Sequence, residues 1–99
     1  SSDFKTAKNL LPLAKAYASF DSLPQMSANP LEAAYRNSLR LARSGKIEIA
    51  LDGFLDILRQ DKHFHDGQLH DIYLALLEVL GEAYPSVRQY RDDLSNVLF

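Results

Sequence analysis

Near the start of the chain Phe4, Ala7, Leu10, Leu11, Ala14, Tyr17 and Ala18 recur at spacings of three and four, the period of one face of an amphipathic helix. Pro12 interrupts this run. It removes one helical donor and crowds the preceding turn, which predicts a kink or a helix that begins near Pro12. From Asp21 to Ala28 the period is lost and Ser22, Pro24 and Ser27 mark a connector with room for a single helical turn. Asn29-Pro30-Leu31-Glu32 then carries a capping residue, a proline fitted to the first helical position and an acid near the positive end of a helix. That helix should run to about Ser44, burying Leu31, Ala34, Tyr35, Ser38, Leu41 and Ala42, with Gly45 supplying the turn. A third helix over roughly Ile47–Gln60 presents Ile47, Ala50, Leu51, Phe54, Leu55 and Leu58. Asp61–Gly67 reads as a polar loop, and Asp66 as the cap of a fourth helix with Leu69, Ile72, Tyr73, Leu76, Leu77 and Leu80 on its face. Gly81 closes it, and Pro85 opens a fifth helix bearing Val87, Tyr90, Leu94, Val97 and Leu98.

Composition supports an all-helical reading. Leucine and alanine total 28 of the 99 residues, whereas valine, isoleucine and threonine total 8, a balance that favours helix over strand. There is no cysteine, so the chain holds no disulfide, thiolate metal site or cysteine nucleophile, and packing must supply its stability. The longest apolar run, Ile72–Leu77, is far too short to span a bilayer, which takes about 20 residues. The formal charge of −2 divides into an excess of Lys and Arg before residue 46 and of Asp and Glu after it. A chain without a clustered positive field is a poor nucleic-acid binder, so neither nucleic acid nor membrane is an expected partner.

Residues 31–64 can be laid against a 34-residue helical-hairpin pattern in which small residues mark the approach of two helices. With Gly45 at the turn, Ser38 takes the small position of the first helix, Ala50 that of the second, and Phe54 the aromatic position four residues later. Ala34, Asn37 and Lys62 depart from the pattern, standing where a large aromatic, a leucine and a proline are usual. The segment resembles a tetratricopeptide repeat. The fold this implies is all-α, with antiparallel helical hairpins stacked as a right-handed superhelix of about five helices.

A narrower resemblance extends over about seventy residues. Asn29-Pro30-Leu31-Glu32-Ala33-Ala34, Leu41-Ala42-Arg43-Ser44-Gly45-Lys46, Ala50-Leu51, Leu58-Arg59-Gln60-Asp61 and Asp66-Gly67-Gln68 follow one another in order. Leu76-Leu77-Glu78-Val79-Leu80-Gly81 and a closing Tyr90-Arg91-x-x-Leu94-x-x-x-Leu98-Phe99 complete the series. Together they are similar to the C-terminal tetratricopeptide domain of bacterial thioredoxin-like proteins of the chaperedoxin type. The resemblance implies a cytoplasmic co-chaperone and holdase whose helical tail binds unfolded or oxidation-prone client proteins and the GroEL-type chaperonin. It also implies an N-terminal thioredoxin domain, upstream of this segment, that carries any redox chemistry. On that reading residues 1–28 are the end of a preceding helical repeat with its connector, residues 29–99 are the C-terminal domain, and the chain is a fragment. The surface residues it transfers are Tyr90, Arg91, Leu94, Leu98 and Phe99.

Candidate chemistry is sparse. His63, His65 and His70 with Asp66 are the one group of metal-ligand types, but loop spacing fixes no geometry, and a solvated loop is the simpler reading; no metal or other cofactor is expected. Ser38 or Ser44 could be set beside a histidine and an acid, yet no nucleophile elbow or glycine-rich oxyanion loop accompanies them, so the chain is not expected to be an enzyme. Arg36, Arg40 and Arg43 follow one helix face, with Glu32 one turn upstream of Arg36, and Glu48, Asp52 and Asp56 follow another. Each stripe is either a solvated face or, for the arginines, a concave seat for an acidic peptide tail. The terminal Val97-Leu98-Phe99 either docks on its own domain or meets a partner. The competing class is a structural or oligomerisation module that buries its apolar faces against another copy.

Overall fold

The structure, a computed structural model, describes the backbone of residues 2–19, 29–81 and 83–98, with side chains from residue 10 onward. Five α-helices occupy the described residues: α1 (Ser2–Ala18), α2 (Pro30–Arg43), α3 (Ile47–Gln60), α4 (Gln68–Leu80) and α5 (Pro85–Leu98). No strand occurs among them. The connector 21–28 and Phe99 lie outside the described residues.

Local chemistry places most of the boundaries. Asn29 is extended, its Oδ1 accepts the Leu31 N–H at 2.9 Å, and Pro30 enters at the first turn, where its missing donor costs no intrahelical bond. At the other end of α2, Gly45 adopts φ +90°, its N–H donates to Ala42 at 3.0 Å, and the Lys46 N–H donates to Leu41 at 2.9 Å. These two bonds form a Schellman closure, which needs a left-handed residue that glycine supplies without strain. α4 stops differently, at Gly81, whose φ of +86° turns the chain while its N–H still donates to the Leu77 carbonyl at 3.0 Å.

Pro12 does not begin a helix. α1 runs from Ser2 through Pro12 to Ala18, and the face it buries differs from the sequence expectation. Leu13 and Ala16 are buried, with Leu10 and Tyr17 packed beside them, whereas Leu11, Ala14 and Ala18 are exposed. Both sets have helical spacing; the surface of α4, along which α1 chiefly lies, selects between them. Phe4 and Ala7 fall among side chains outside the described set.

α2 and α3 form the principal hairpin, α4 packs against α3, and α5 rests on both α3 and α4. Leu39, Ala50, Leu51, Phe54, Leu69, Ile72, Tyr73 and Leu76 are fully enclosed. Leu39, Ile57 and Ala75 join the core beyond the predicted stripes, because α2–α4 are each covered from more than one side. Ser38 is the one buried polar residue among the described residues, and it faces Gly53 on α3. A methyl group on Gly53 would overlap Ser38 Oγ and lie 3.2 Å from Ser38 Cβ. Tyrosine hydroxyls tie the last helices: Tyr73 Oη donates to the Tyr90 carbonyl at 2.7 Å, and Tyr90 Oη donates to the Glu48 carbonyl at 3.1 Å.

Gly53→Ala is expected to destabilise the domain by about 1–3 kcal/mol through overpacking, despite a helix-propensity gain of about 1 kcal/mol. Ser38→Gly in the same background should recover part of that loss, a coupling readable from a urea double-mutant cycle. Burial raises the Tyr73 phenol well above its usual 10.0, and burial followed by the neighbouring Asp52 carboxylate raises Tyr90. The unfolded chain therefore releases these protons first, so stability is complete below about pH 10 and declines as pH rises beyond it. Thermal melts across that range should show the decline, and Tyr73→Phe should make it shallower.

Candidate functional site

The histidine-bearing segment between α3 and α4 is more ordered than a solvated loop. Asp61 Oδ1 accepts the His63 N–H at 3.1 Å, and a 3-10 turn over Phe64–Gly67 follows. Phe64 is buried against Tyr35, whose ring also meets Phe54, with centroids 5.6 and 6.0 Å apart. His65 stacks on Phe64 at 4.1 Å and meets the Tyr35 ring edge-on at 4.7 Å. Its Nε2 donates to the Glu32 carboxylate at 2.7 Å, so the acid in the first turn of α2 clasps this segment. His65 and Asp66 sit at φ +53° and +57°, left-handed conformations that cost a non-glycine residue about 1–2 kcal/mol each.

Asp66 consequently does not cap α4. Gly67 occupies the cap position with no side-chain hydrogen bond, and Asp66 points away into solvent because its left-handed backbone redirects the side chain. The three histidines do not converge either: His65 is committed to Glu32, His70 Nδ1 lies 3.6 Å from its neighbour Asp71, and His63 is exposed. No group of three potential metal ligands forms among the described residues. Ser38 is enclosed between α2 and α3, Ser44 ends α2, and no hydrogen bond joins either to a histidine.

The remaining candidates divide by burial. On α2, Arg40 is exposed and its Nη2 donates to Asn37 Oδ1 at 2.7 Å, while Arg36 is half-buried and Arg43 exposed. Burial raises the Tyr17 phenol, and the charge of Arg43 partly offsets that rise. On α5, Tyr90 and Leu94 belong to the core and are not surface residues, since their helical phase points them at α3 and α4. Arg91 is exposed, and Val97 and Leu98 are half-buried against the core, so the end of α5 is partly docked. Of the acidic stripe, Asp56 pairs with Arg59 at 3.0 Å and Glu48 accepts the Tyr84 hydroxyl.

Periodicity along the chain does not reveal a cleft where the α2–α3 and α4–α5 turns meet. One part, about 410 Å³, is lined by Lys46, Ile47, Glu48, Ile49, Leu80 and Tyr84. The other, about 440 Å³, lies across Tyr84 and is lined by Pro85, Arg88, Arg91 and Asp92. Ile49 and Tyr84 are 56% and 42% exposed, large apolar surfaces left open to solvent. The available signal was Ile49 itself, an isoleucine off the buried stripe of α3.

The His65–Glu32 clasp should contribute modestly, because both groups are about one-third exposed. Glu32→Gln and His65→Ala are expected to show a coupling of about 0.5–1 kcal/mol in a denaturant double-mutant cycle. Asp66→Gly should raise stability by about 0.5–1 kcal/mol by relieving the left-handed backbone. A loss of stability in that variant would show that the Asp66 side chain is itself a structural contact.

No curated protein and no solved structure matches the chain. A family model described as Tetratricopeptide repeat matches residues 13–99, from within α1 through the hairpin of α2 and α3 to the last helix. The small and aromatic positions read from the sequence lie where the two hairpin helices meet, with Ser38, Ala50 and Phe54 all buried. Stacked helices that present side chains rather than a catalytic constellation are what such repeats use to bind other proteins. The chain belongs to the tetratricopeptide repeat family.

Proposed function

We propose that this domain is the protein-binding tail of a thioredoxin-like co-chaperone, a cytoplasmic bacterial holdase that receives unfolded or oxidation-prone clients and delivers them to the chaperonin. The observation that carries this reading is the ordered series of segments from Asn29 to Leu98-Phe99, over which the chain resembles chaperedoxin tails. The fold supports the same reading. Tetratricopeptide domains mediate protein–protein interactions, and the large apolar side chains left exposed on this one, Leu11, Ile49, Leu74, Val79 and Tyr84, are surface that a partner can remove from water. Any thiol chemistry would belong to the upstream thioredoxin domain, and this segment would contribute contact alone.

Within that reading the chaperonin meets the outward side of α5. Tyr90 and Leu94 hold the helix to the core, which leaves Arg91 and the rim of Leu98 to be shared with a partner. An amphipathic helix offering such a rim to an apolar groove is a common mode of recognition.

Purified chaperonin should capture the domain, and Leu98→Asp should reduce capture about tenfold or more. Arg91→Ala, on the exposed side, should weaken capture without shifting the thermal midpoint, which separates lost recognition from lost folding. Capture unaffected by both variants, or none by the wild type, would overturn the chaperonin contact. A tight dimer in sedimentation with no suppression of client aggregation would favour the oligomerisation module instead.

A further inference from the structure

We propose that α1 is a displaceable self-ligand: it occupies a face of α4 that a basic amphipathic helix from a partner takes in its place. The inference does not depend on the co-chaperone reading, because none of the residues it uses lies on α5.

Consecutive elements usually pack against each other. α1 instead passes over α2, the next helix in the sequence, and lies chiefly along α4. Its hold there is narrow. Among its described side chains Leu13 and Ala16 are buried and Leu10 and Tyr17 partly so, while Leu11, Ala14, Lys15 and Ala18 stand in solvent. By comparison α2, α3 and α4 bury four, six and six residues. α1 is also weakened from within, since Pro12 stands inside it, where it removes one backbone donor and crowds the preceding turn. A helix of 17 residues with such a break is marginal in water once detached, so its order depends on the surface beneath it. The nine residues 20–28 that join it to α2 can span at most about 30 Å, a tether that lets α1 leave α4 and return.

The pairing of α1 with α4 states what the surface accepts. α1 offers leucines three apart at Leu10 and Leu13, then a small residue and an aromatic at Ala16 and Tyr17, the anchor spacing of a helix laid on an apolar face. Charge matches in the same sense. α1 carries Lys5, Lys8 and Lys15 against Asp3, whereas α4 carries Asp71 and Glu78 and no lysine or arginine. Leu74 and Val79 on α4 stay exposed with α1 in place, so an incoming helix that also covers either of them removes more apolar surface from water than α1 does. The occupant is therefore a basic helix with this anchor pattern, and α1 holds its place until such a helix arrives.

The test titrates the whole 99-residue chain with a fluorescein-labelled peptide of residues 2–19, read by anisotropy. With α1 seated, apparent affinity is reduced to the fraction of chains in which α4 is open. Leu13→Asp loosens α1 and should raise affinity for the peptide about tenfold. Pro12→Ala strengthens α1 and should lower it about tenfold. Added salt should weaken binding, and a peptide that itself carries Leu13→Asp should not bind. Hydrogen exchange should show the amides of α1 losing protection in the Leu13→Asp chain and gaining it in Pro12→Ala, while those of α2, α3 and α5 keep theirs. The proposal is overturned if the three chains bind the peptide equally, if the wild-type peptide binds none of them, or if Leu13→Asp strips protection from every helix, which would make α1 an inseparable part of the core. Leu98→Asp should bind the peptide as wild type does, and Leu13→Asp should still be captured by the chaperonin, so the two readings fail separately.

Discussion

α2 and α3 approach as closely as they do because Gly53 has no Cβ to meet Ser38, and the rest of the fold is built outward from that contact. A glycine inside a helix costs about 1 kcal/mol in propensity, a cost offset here by the helix–helix packing that it permits. With the hairpin closed, Tyr35 on α2 reaches Phe54 on α3 and Phe64 beyond it, and this aromatic series gives the α3–α4 segment a surface to settle on. His65 then reaches back to Glu32 at the start of α2, and the segment closes in a left-handed conformation that sets the entry of α4.

From α4 onward the ties are tyrosine hydroxyls. Tyr73 holds the α5 backbone at Tyr90, Tyr90 reaches the α3 backbone at Glu48, and Tyr84 engages the Glu48 side chain. Glu48 thus anchors both the turn before α5 and the middle of α5 itself. This arrangement explains why the apolar stripe of α5 is divided: its central residues are core, and only its last turn and its outward side remain for contact. A chain without cysteine has no disulfide to fix its final helix, and hydrogen bonds from tyrosine hydroxyls, of which Tyr73's is buried, serve that end here.

Features governed by neighbouring residues were legible in the sequence. Asn29 and Pro30 start α2, Gly45 and Gly81 end helices at left-handed positions, and Ser38, Ala50 and Phe54 mark the hairpin, because capping and helical phase are local physics. Features closed over long separations were not. Glu32 finds His65 and Tyr84 finds Glu48 across more than thirty residues, and no periodicity reports such pairings. α1 shows the same limit in another form, since two sets of its residues fit a helical stripe and only the surface of α4 chooses Leu13 and Ala16. Asp66 had the right residue type for a cap, but a left-handed backbone placed it elsewhere. Gly53 was a visible irregularity in an otherwise strong helix, and its reason became apparent only opposite Ser38.

In the proposed function α5 divides its labour: an inner face holds it to the domain, and an outer end would be offered to the chaperonin. Hydrogen–deuterium exchange of the domain with and without purified chaperonin tests that division most directly. The account predicts that the amides of 91–98 gain protection in the complex, while those of α2 and α3, already shielded by the hairpin, change little. Protection confined to other helices, or no added protection at saturating chaperonin, would contradict it.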